Sequence, residues 1–198
     1  MIDKRKVDEF WLWFSSIAVS LAANIEGRSL LKQLDARLRG LDSDLSWEVG
    51  PGSHEPWQLV ISPNLNRELR RKAQEIISHA PVVGGWEFHS ARRPKDWNYL
   101  LVMERSTGEP LQLDASRWEF VLLRYPDGEQ EVLLQGGNLP RMDDDERWQA
   151  AAITLESILG EDLLLDKVNE FELVSQLEPR LAEKRRPIQR LRETILAA

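Results

Sequence analysis

The sequence contains no cysteine and few histidines or tyrosines. Its 198 residues include Cys 0, His 3 and Tyr 2. The absence of cysteine excludes disulfide frameworks, thiolate zinc sites, cysteine nucleophiles and cysteine-ligated clusters. A chain without cysteine suits a reducing compartment, and we therefore expect a cytoplasmic protein.

Long hydrophobic runs are also missing. No stretch reaches the roughly 18 consecutive apolar residues that a membrane-spanning helix needs. Residues 10–21 follow three basic residues, as the core of a signal peptide would, but Asp8 and Glu9 intervene. Their apolar positions recur at the spacing of an amphipathic helix, which a signal peptide lacks. We therefore expect a first helix that packs on the core, and no membrane partner.

Positive charge is in the minority. The chain has 26 Lys+Arg against 33 Asp+Glu, a net charge of −7, and its pI is about 5.1. Because nucleic-acid backbones select clustered positive charge, we expect no nucleic-acid partner. The pairs Gly84-Gly85 and Gly136-Gly137 lack the third glycine or the Lys-Ser/Thr of nucleotide-binding loops, so they predict turns and no cofactor.

Metal-ligating residues are sparse. His54, His79 and His89 lie far apart, and none has a histidine four residues away, as a helical zinc pair would. The acidic run 143–146 lacks the spacing of a calcium-binding loop and supplies too few oxygens in one shell. Acidic residues are favoured in the first turn of a helix. The run therefore predicts a helix start, and we expect no metal site.

Hydrophobic periodicity predicts the secondary structure. Helices are predicted at residues 7–21, at 27–39 with Gly40 as the stop, from a cap at Asn64 or Asn66 to Ala80, and at 143–159. Strands are predicted at 45–49, 57–62, 86–89, 118–123 and 131–135, and one within 166–174. Residues 97–103 fit a strand or a buried helix, and we favour a strand. The segment Tyr125-Pro-Asp-Gly-Glu129 predicts a tight hairpin. The basic tail after Glu178 is helical in type and is interrupted at Pro187.

Helices and strands come in runs rather than in strict alternation. This order predicts an α+β fold with a mainly antiparallel sheet flanked by helices, an N-terminal helical pair and a C-terminal helix. No linker composition marks a boundary, so residues 1–198 are predicted to form a single domain. The alternative is two subdomains divided between Pro94 and Pro110.

One neighbourhood combines cations with aromatic rings around the end of the strand 86–89. Arginine and tryptophan are typical of binding hot spots, and guanidinium groups bind carboxylate or phosphate through two hydrogen bonds. In the alternative interpretation the indoles are core residues and the arginines pair with the chain's own acids. The candidate binding residues are Trp86, His89, Arg92, Arg93, Lys95 and Trp97.

Tryptophan is abundant, with 8 residues. Six of them lie in phase with apolar neighbours and are predicted to be core residues: Trp11, Trp47, Trp57, Trp86, Trp118 and Trp148. Trp13 and Trp97 fall outside this phase, so these two are the candidates for exposed contact with a partner.

Four short segments together resemble a family of proteins. They are Phe10-Trp-Leu-Trp-Phe14, Ile61-Ser-Pro-Asn64, Ala80-Pro-Val-Val-Gly-Gly-Trp86 and Leu159-Gly-Glu-Asp162. In this order they resemble a group of uncharacterised bacterial cytoplasmic α+β proteins, over about residues 7–175. The resemblance implies the fold and the cytoplasmic location, and it implies no activity and no ligand residues.

Two functions remain open. The first is a binding protein that accompanies or neutralises another protein, as an immunity protein masks a basic toxin, with negative charge speeding encounter. The second is an enzyme or small-anion-binding protein in which Arg92 and Arg93 hold an anion and His89 acts as acid or base. We favour the first and assign no catalytic residue. The basic C-terminal helix completes the fold or a homodimer.

Overall fold

The computed structural model describes residues 2–137 and 139–197. The chain divides into two compact units, Met1–Arg92 and Arg93–Ala198. Each unit combines helices with strands, so the predicted α+β class is confirmed. The single domain over residues 1–198 stays a prediction.

The first unit contains one three-stranded sheet and three helices. Its elements are α1 (Lys4–Ala23), α2 (Arg28–Leu41), β1 (Ser46–Pro51), β2 (Trp57–Ser62), α3 (Arg67–Ser78) and β3 (Trp86–His89). The strand order is β1-β2-β3. β1 runs antiparallel to β2, and α3 returns the chain so that β3 lies parallel to β2.

The core of the first unit lies between α1 and one face of this sheet. Phe14 of α1 is fully buried, and its ring centroid lies 5.1 Å from that of Trp86 and 5.5 Å from that of Phe88. The indole N–H of Trp11 donates to the carbonyl of Ile76 at 2.8 Å, which fastens α1 to α3. The predicted first helix therefore packs on the core, as expected from its apolar stripe.

The second unit contains two sheets. Its elements are β4 (Leu100–Glu104), β5 (Pro110–Asp114), β6 (Glu119–Arg124), β7 (Gln130–Gln135), α4 (Asp144–Leu159), α5 (Glu161–Lys167), β8 (Glu170–Val174), α6 (Pro179–Ala182), β9 (Arg186–Pro187), a short 3₁₀ helix (Ile188–Arg190) and α7 (Leu191–Leu196). β4 and β5 pair with each other, and the larger sheet has the order β8-β7-β6-β9.

The larger sheet is built around the predicted hairpin. β6 and β7 are antiparallel and joined by the turn 125–129, with Gly128 at φ 92 in the conformation that glycine favours. α4 and α5 then cross over, so that β8 lies parallel to β7. β9 pairs with only the first two residues of β6. Four of the six strand pairings in residues 2–137 and 139–197 are antiparallel.

The acidic run 143–146 begins a helix, as predicted. The Asp143 side chain accepts from the Glu146 backbone N–H at 2.8 Å, and the Glu146 carboxylate accepts from the Asp143 backbone N–H at 3.2 Å. These reciprocal bonds form a capping box at the start of α4. The backbone N–H of Glu146 and the Ser106 hydroxyl lower the pKa of Asp143. Arg105 Nη1 lies 3.2 Å from the buried Glu146 carboxylate.

Several details differ from the sequence predictions. In residues 2–137 and 139–197 the strands form three sheets, and the crossovers through α3 and α4–α5 make two of the pairings parallel. Gly40 does not end α2, which continues to Leu41. The strand β5 and the helix α5 were not predicted. The tail after Glu178 contains the short helices α6 and α7 with β9 and the 3₁₀ helix between them, and Pro187 in β9 interrupts the helical pattern.

Substitution Phe14→Ala tests the importance of the aromatic core. It removes a fully buried ring that contacts four other aromatic rings, so the free energy of unfolding should fall by about 3–5 kcal/mol. Urea unfolding followed by circular dichroism measures this loss. The matched control is Leu12→Ala on the same helix, where the side chain is 76% exposed and the change should stay within about 0.5 kcal/mol. Equal effects at the two positions would contradict this core.

Candidate functional site

The six candidate binding residues are divided between the two units. Trp86, His89 and Arg92 belong to the first unit, whereas Arg93, Lys95 and Trp97 belong to the second. Each group is therefore described within its own unit. The role of the six residues as a binding site stays a prediction.

Within the first unit, Trp86 and His89 lie on opposite faces of the sheet. Successive side chains of a strand alternate between faces. Trp86 and Phe88 pack against the helices, and Trp86 is 5% exposed. Glu87 and His89 lie on the other face, in register with Gln58 and Val60 of β2. Trp86 is therefore a core residue, and the structure does not bring it together with His89.

Glu87 is the most strongly perturbed acid on this polar face. Its carboxylate accepts from the backbone N–H groups of Ser53 at 2.6 Å and His54 at 3.0 Å, in the loop between β1 and β2. The Ser53 bond is the main cause of a pKa lowered from 4.5 to about 2, and His89 adds to it. A Cβ at Gly52 would lie 2.3 Å from the Glu55 carbonyl. Glycine there allows the loop to close on Glu87.

His89 lies beside the same carboxylate. Its Nε2 is 3.2 Å from Glu87 Oε1, but this buried nitrogen makes no well-aligned hydrogen bond in the described part of the chain. The loop that carries His54 also meets Glu87, through its backbone. His79 lies elsewhere in the unit, with Nδ1 3.2 Å from Asp8 Oδ1. Within residues 2–137 and 139–197, no three histidine or acidic side chains converge to hold a metal ion.

Arg92 makes contacts within its own unit. Its Nη2 donates to the Ser46 hydroxyl at 2.7 Å, and its Nε lies 3.7 Å from Glu48 Oε2. The Arg92 side chain is only 17% exposed. Both partners are on β1, so the guanidinium ties the end of β3 across the polar face of the sheet. This contact matches the alternative interpretation, in which an arginine of the cluster pairs with the chain's own acids.

The other three candidate residues lie before β4. Arg93 and Lys95 are exposed, and the Lys95 backbone N–H donates to the Ser157 carbonyl at 2.8 Å. Trp97 is half-buried, and its ring centroid lies 5.2 Å from that of Tyr99. Pro94 packs on Gly160, where a Cβ would lie 2.7 Å from the proline Cδ. This segment is therefore fixed against the end of α4.

The tryptophans reveal a surface that the sequence did not indicate. Trp148, predicted to be a core residue, is 53% exposed, so that prediction is wrong. Trp13 and Trp97, the predicted contact residues, are both half-buried, and Arg37 lies over the Trp13 ring at 4.6 Å. Trp148 does have the phase of the buried stripe of α4. It is uncovered because Phe171 beneath it belongs to β8, the last strand of its sheet.

Two acidic residues lie one helical turn from the exposed ring. Trp148 and Phe171 lie with ring centroids 5.8 Å apart. Asp144 and Asp145 precede Trp148 by one helical turn and share its side of α4. On β8, Glu170 and Glu172 alternate with Phe171 and therefore lie on the opposite face of the sheet, the face of Leu133 and Val174. We call Trp148, Phe171, Asp144 and Asp145 the acidic aromatic patch.

Comparison of this chain with protein-family models, with curated proteins and with solved structures finds no match. In residues 2–137 and 139–197, no helix has the length and apolar content needed to cross a membrane.

Substitution Glu87→Gln tests the carboxylate that holds the β1–β2 loop. A lowered pKa means that the charged form stabilises the fold above about pH 4.5 and that this stabilisation is lost as the pH falls towards 2. At pH 7 the free energy of unfolding of the variant should be about 2 kcal/mol lower than that of the parent. The difference from the parent should shrink as the pH falls through that window.

Urea unfolding measured across the pH series gives this difference directly. The matched control is Glu26→Gln in the same unit, because Glu26 is exposed and makes no hydrogen bond within the described residues. Its effect should be small and nearly independent of pH. If Glu87→Gln lowered the free energy of unfolding by the same amount at every pH, the carboxylate charge would not hold the loop.

Proposed function

We propose that the chain is a protein-binding protein whose acidic aromatic patch covers a basic surface of its partner. The observation that carries the proposal is the exposure of Trp148, at 53%. Large aromatic side chains left in water are unusual on a monomer, and tryptophan is the residue most enriched in interface hot spots. A partner that buried this ring would remove its apolar surface from water, which favours binding.

The ring is held in place before any partner arrives. Phe171 supports it from β8, and the capping box fixes the first turn of α4 immediately before it. Arg105 reinforces this turn, because its Nη1 donates to the Arg141 carbonyl at 3.1 Å and to the Glu146 carboxylate. A pre-positioned anchor loses little conformational entropy on binding, so more of its burial appears as affinity.

The charges around the ring favour a basic partner. Asp144 is fully exposed, and its only cation in the described part of the chain is Arg147, at 3.9 Å. Asp145 is also exposed. The whole chain carries a net charge of −7. Attraction between this patch and a basic surface accelerates encounter and orients the two proteins.

A partner of this kind is a basic toxin that an immunity-like protein neutralises, and the cysteine-free sequence suits a reducing cytoplasm for that role. The alternative, an enzyme or small-anion-binding protein that uses the region of Trp86, His89, Arg92, Arg93 and Trp97, receives less support. Arg92 already binds Ser46 and Glu48, and Trp86 is buried on the other sheet face.

A photo-crosslinking experiment tests the proposal. Benzoylphenylalanine replaces Trp148 in cells of the organism that naturally makes this protein. The protein that this photoreactive residue captures is purified and identified. With that protein, Trp148→Ala should weaken binding about 30-fold, the loss of about 2 kcal/mol typical of a hot spot. The association rate should fall several-fold when salt rises from about 0.05 M to 0.5 M, because the charges are screened.

The control positions are exposed like Trp148 but lie outside the acidic aromatic patch. Benzoylphenylalanine at Val82, which is fully exposed in the first unit, should not capture the same protein, and Leu12→Ala should leave its affinity unchanged. An association rate that does not change with salt concentration would contradict the proposal. So would a Trp148→Ala variant that binds as tightly as the parent.

A further inference from the structure

At the opposite edge of the same sheet, β6 is only partly covered. β9 pairs with it at Glu119↔Pro187 and Phe120↔Arg186 and then ends. β6 itself continues to Arg124. Over residues 121–124, no strand in the described part of the chain lies on that side of β6.

Two hydrogen bonds show which backbone groups face this open edge. The Trp118 carbonyl accepts from the Ile188 N–H at 3.0 Å, on the β9 side. The Tyr125 N–H donates to the Glu129 carbonyl at 2.9 Å, on the β7 side. Backbone groups of a strand alternate between its two neighbours. The N–H and C=O groups of Leu122 and Arg124 therefore point to the open side, where no described residue pairs with them.

A groove of 690 Å³ lies along this edge. Leu122 and Arg124 of β6 form one wall, and Lys184, Arg185 and Arg186 form another. The Arg186 Nη1 donates to the Thr194 hydroxyl of α7 at 3.3 Å, which holds its guanidinium at the groove. The site therefore combines a free strand edge with several cations.

The positive charge of the groove is only partly neutralised. Arg185 pairs with Glu119 at 3.4 Å. Arg124 and Lys184 are exposed, and neither has an anionic partner among the described residues. Glu183 is the only acid in the lining. A local excess of cations in a chain of net charge −7 selects a negatively charged occupant.

We propose that an acidic peptide segment in extended conformation binds here, as a strand added to β6 beyond β9. Its backbone pairs with the free N–H and C=O groups of Leu122 and Arg124, and its carboxylates contact Arg124, Lys184 and Arg186. A phosphate backbone supplies acceptors only and would leave the two carbonyls unpaired. The site goes beyond the proposed function, because it lies at the other edge of the sheet from the acidic aromatic patch.

Fluorescence anisotropy with a defined probe tests the proposal. The probe is a labelled peptide of alternating glutamate and valine, about eight residues long, which favours the extended strand conformation. The full chain should bind it, and a peptide of alternating lysine and valine should not bind. The variant Arg124→Glu with Lys184→Glu should weaken binding by at least about tenfold. Neither side chain has a partner within the described residues, so the fold should persist.

Two controls separate strand addition from simple charge attraction. The variant Lys4→Glu with Lys6→Glu changes the net charge equally on the exposed side of α1 and should bind the probe within about twofold of the parent. The glutamate–valine peptide N-methylated at alternate residues keeps its charge but cannot form the ladder, and it should lose binding.

Three results would overturn the proposal. The first is equal binding of the N-methylated peptide. The second is an oligothymidylate that binds more tightly than the peptide and competes with it. The third is a chain that dimerises through the β6 edge, shown by sedimentation of the parent and of the Arg124→Glu, Lys184→Glu variant, since the occupant would then be a second copy.

Discussion

The order of strands in the larger sheet, β8-β7-β6-β9, is the constraint on which both candidate interaction surfaces depend. The crossover through α4 and α5 makes β8 an end strand, so Phe171 supports Trp148 and no further strand covers that ring. At the other end, β9 is two residues long and leaves residues 121–124, four of the six in β6, without a strand partner on that side among the described residues. Sheet edges with free backbone groups are sites where other proteins add strands. Exposed aromatic rings are sites that a binding partner buries. The same topology therefore produces one surface of each kind.

Charge distinguishes these two edges. Asp144 and Asp145 lie one helical turn from Trp148, whereas arginine and lysine line the groove beside β6. The polar face of the first unit uses its charges differently. Glu87 holds the β1–β2 loop, and Arg92 binds Ser46 and Glu48 within the same unit. Charges satisfied internally contribute to stability and offer little to a ligand. Charges left exposed beside an anchor or a free strand edge are available to a partner.

Local pattern was sufficient to predict most elements. Alternation located β1, β2, β3, β6, β7 and β8, and the acidic run 143–146 correctly predicted the start of α4. Strand direction was not predictable, because the parallel pairings depend on how α3 and α4 pack. The strand β5 had a signal, since Leu111 and Leu113 alternate with polar residues and are buried. Trp148 has the phase of a core residue, and only its position above the last strand leaves it exposed. The six candidate residues lie within 86–97, but alternation places Trp86 and His89 on opposite faces of one sheet, and the set is divided between the two units.

Residue-by-residue amide exchange of the free chain, measured by NMR, tests the central claim that the sheet presents an open edge. The backbone amides of Val121 and Leu123 point towards β7, whereas those of Leu122 and Arg124 point towards the groove. The account predicts slow exchange at Val121 and Leu123 and fast exchange at Leu122 and Arg124, because an amide without a hydrogen-bond acceptor exchanges readily. Equal protection at all four amides would show that this edge is already paired, and it would contradict the account.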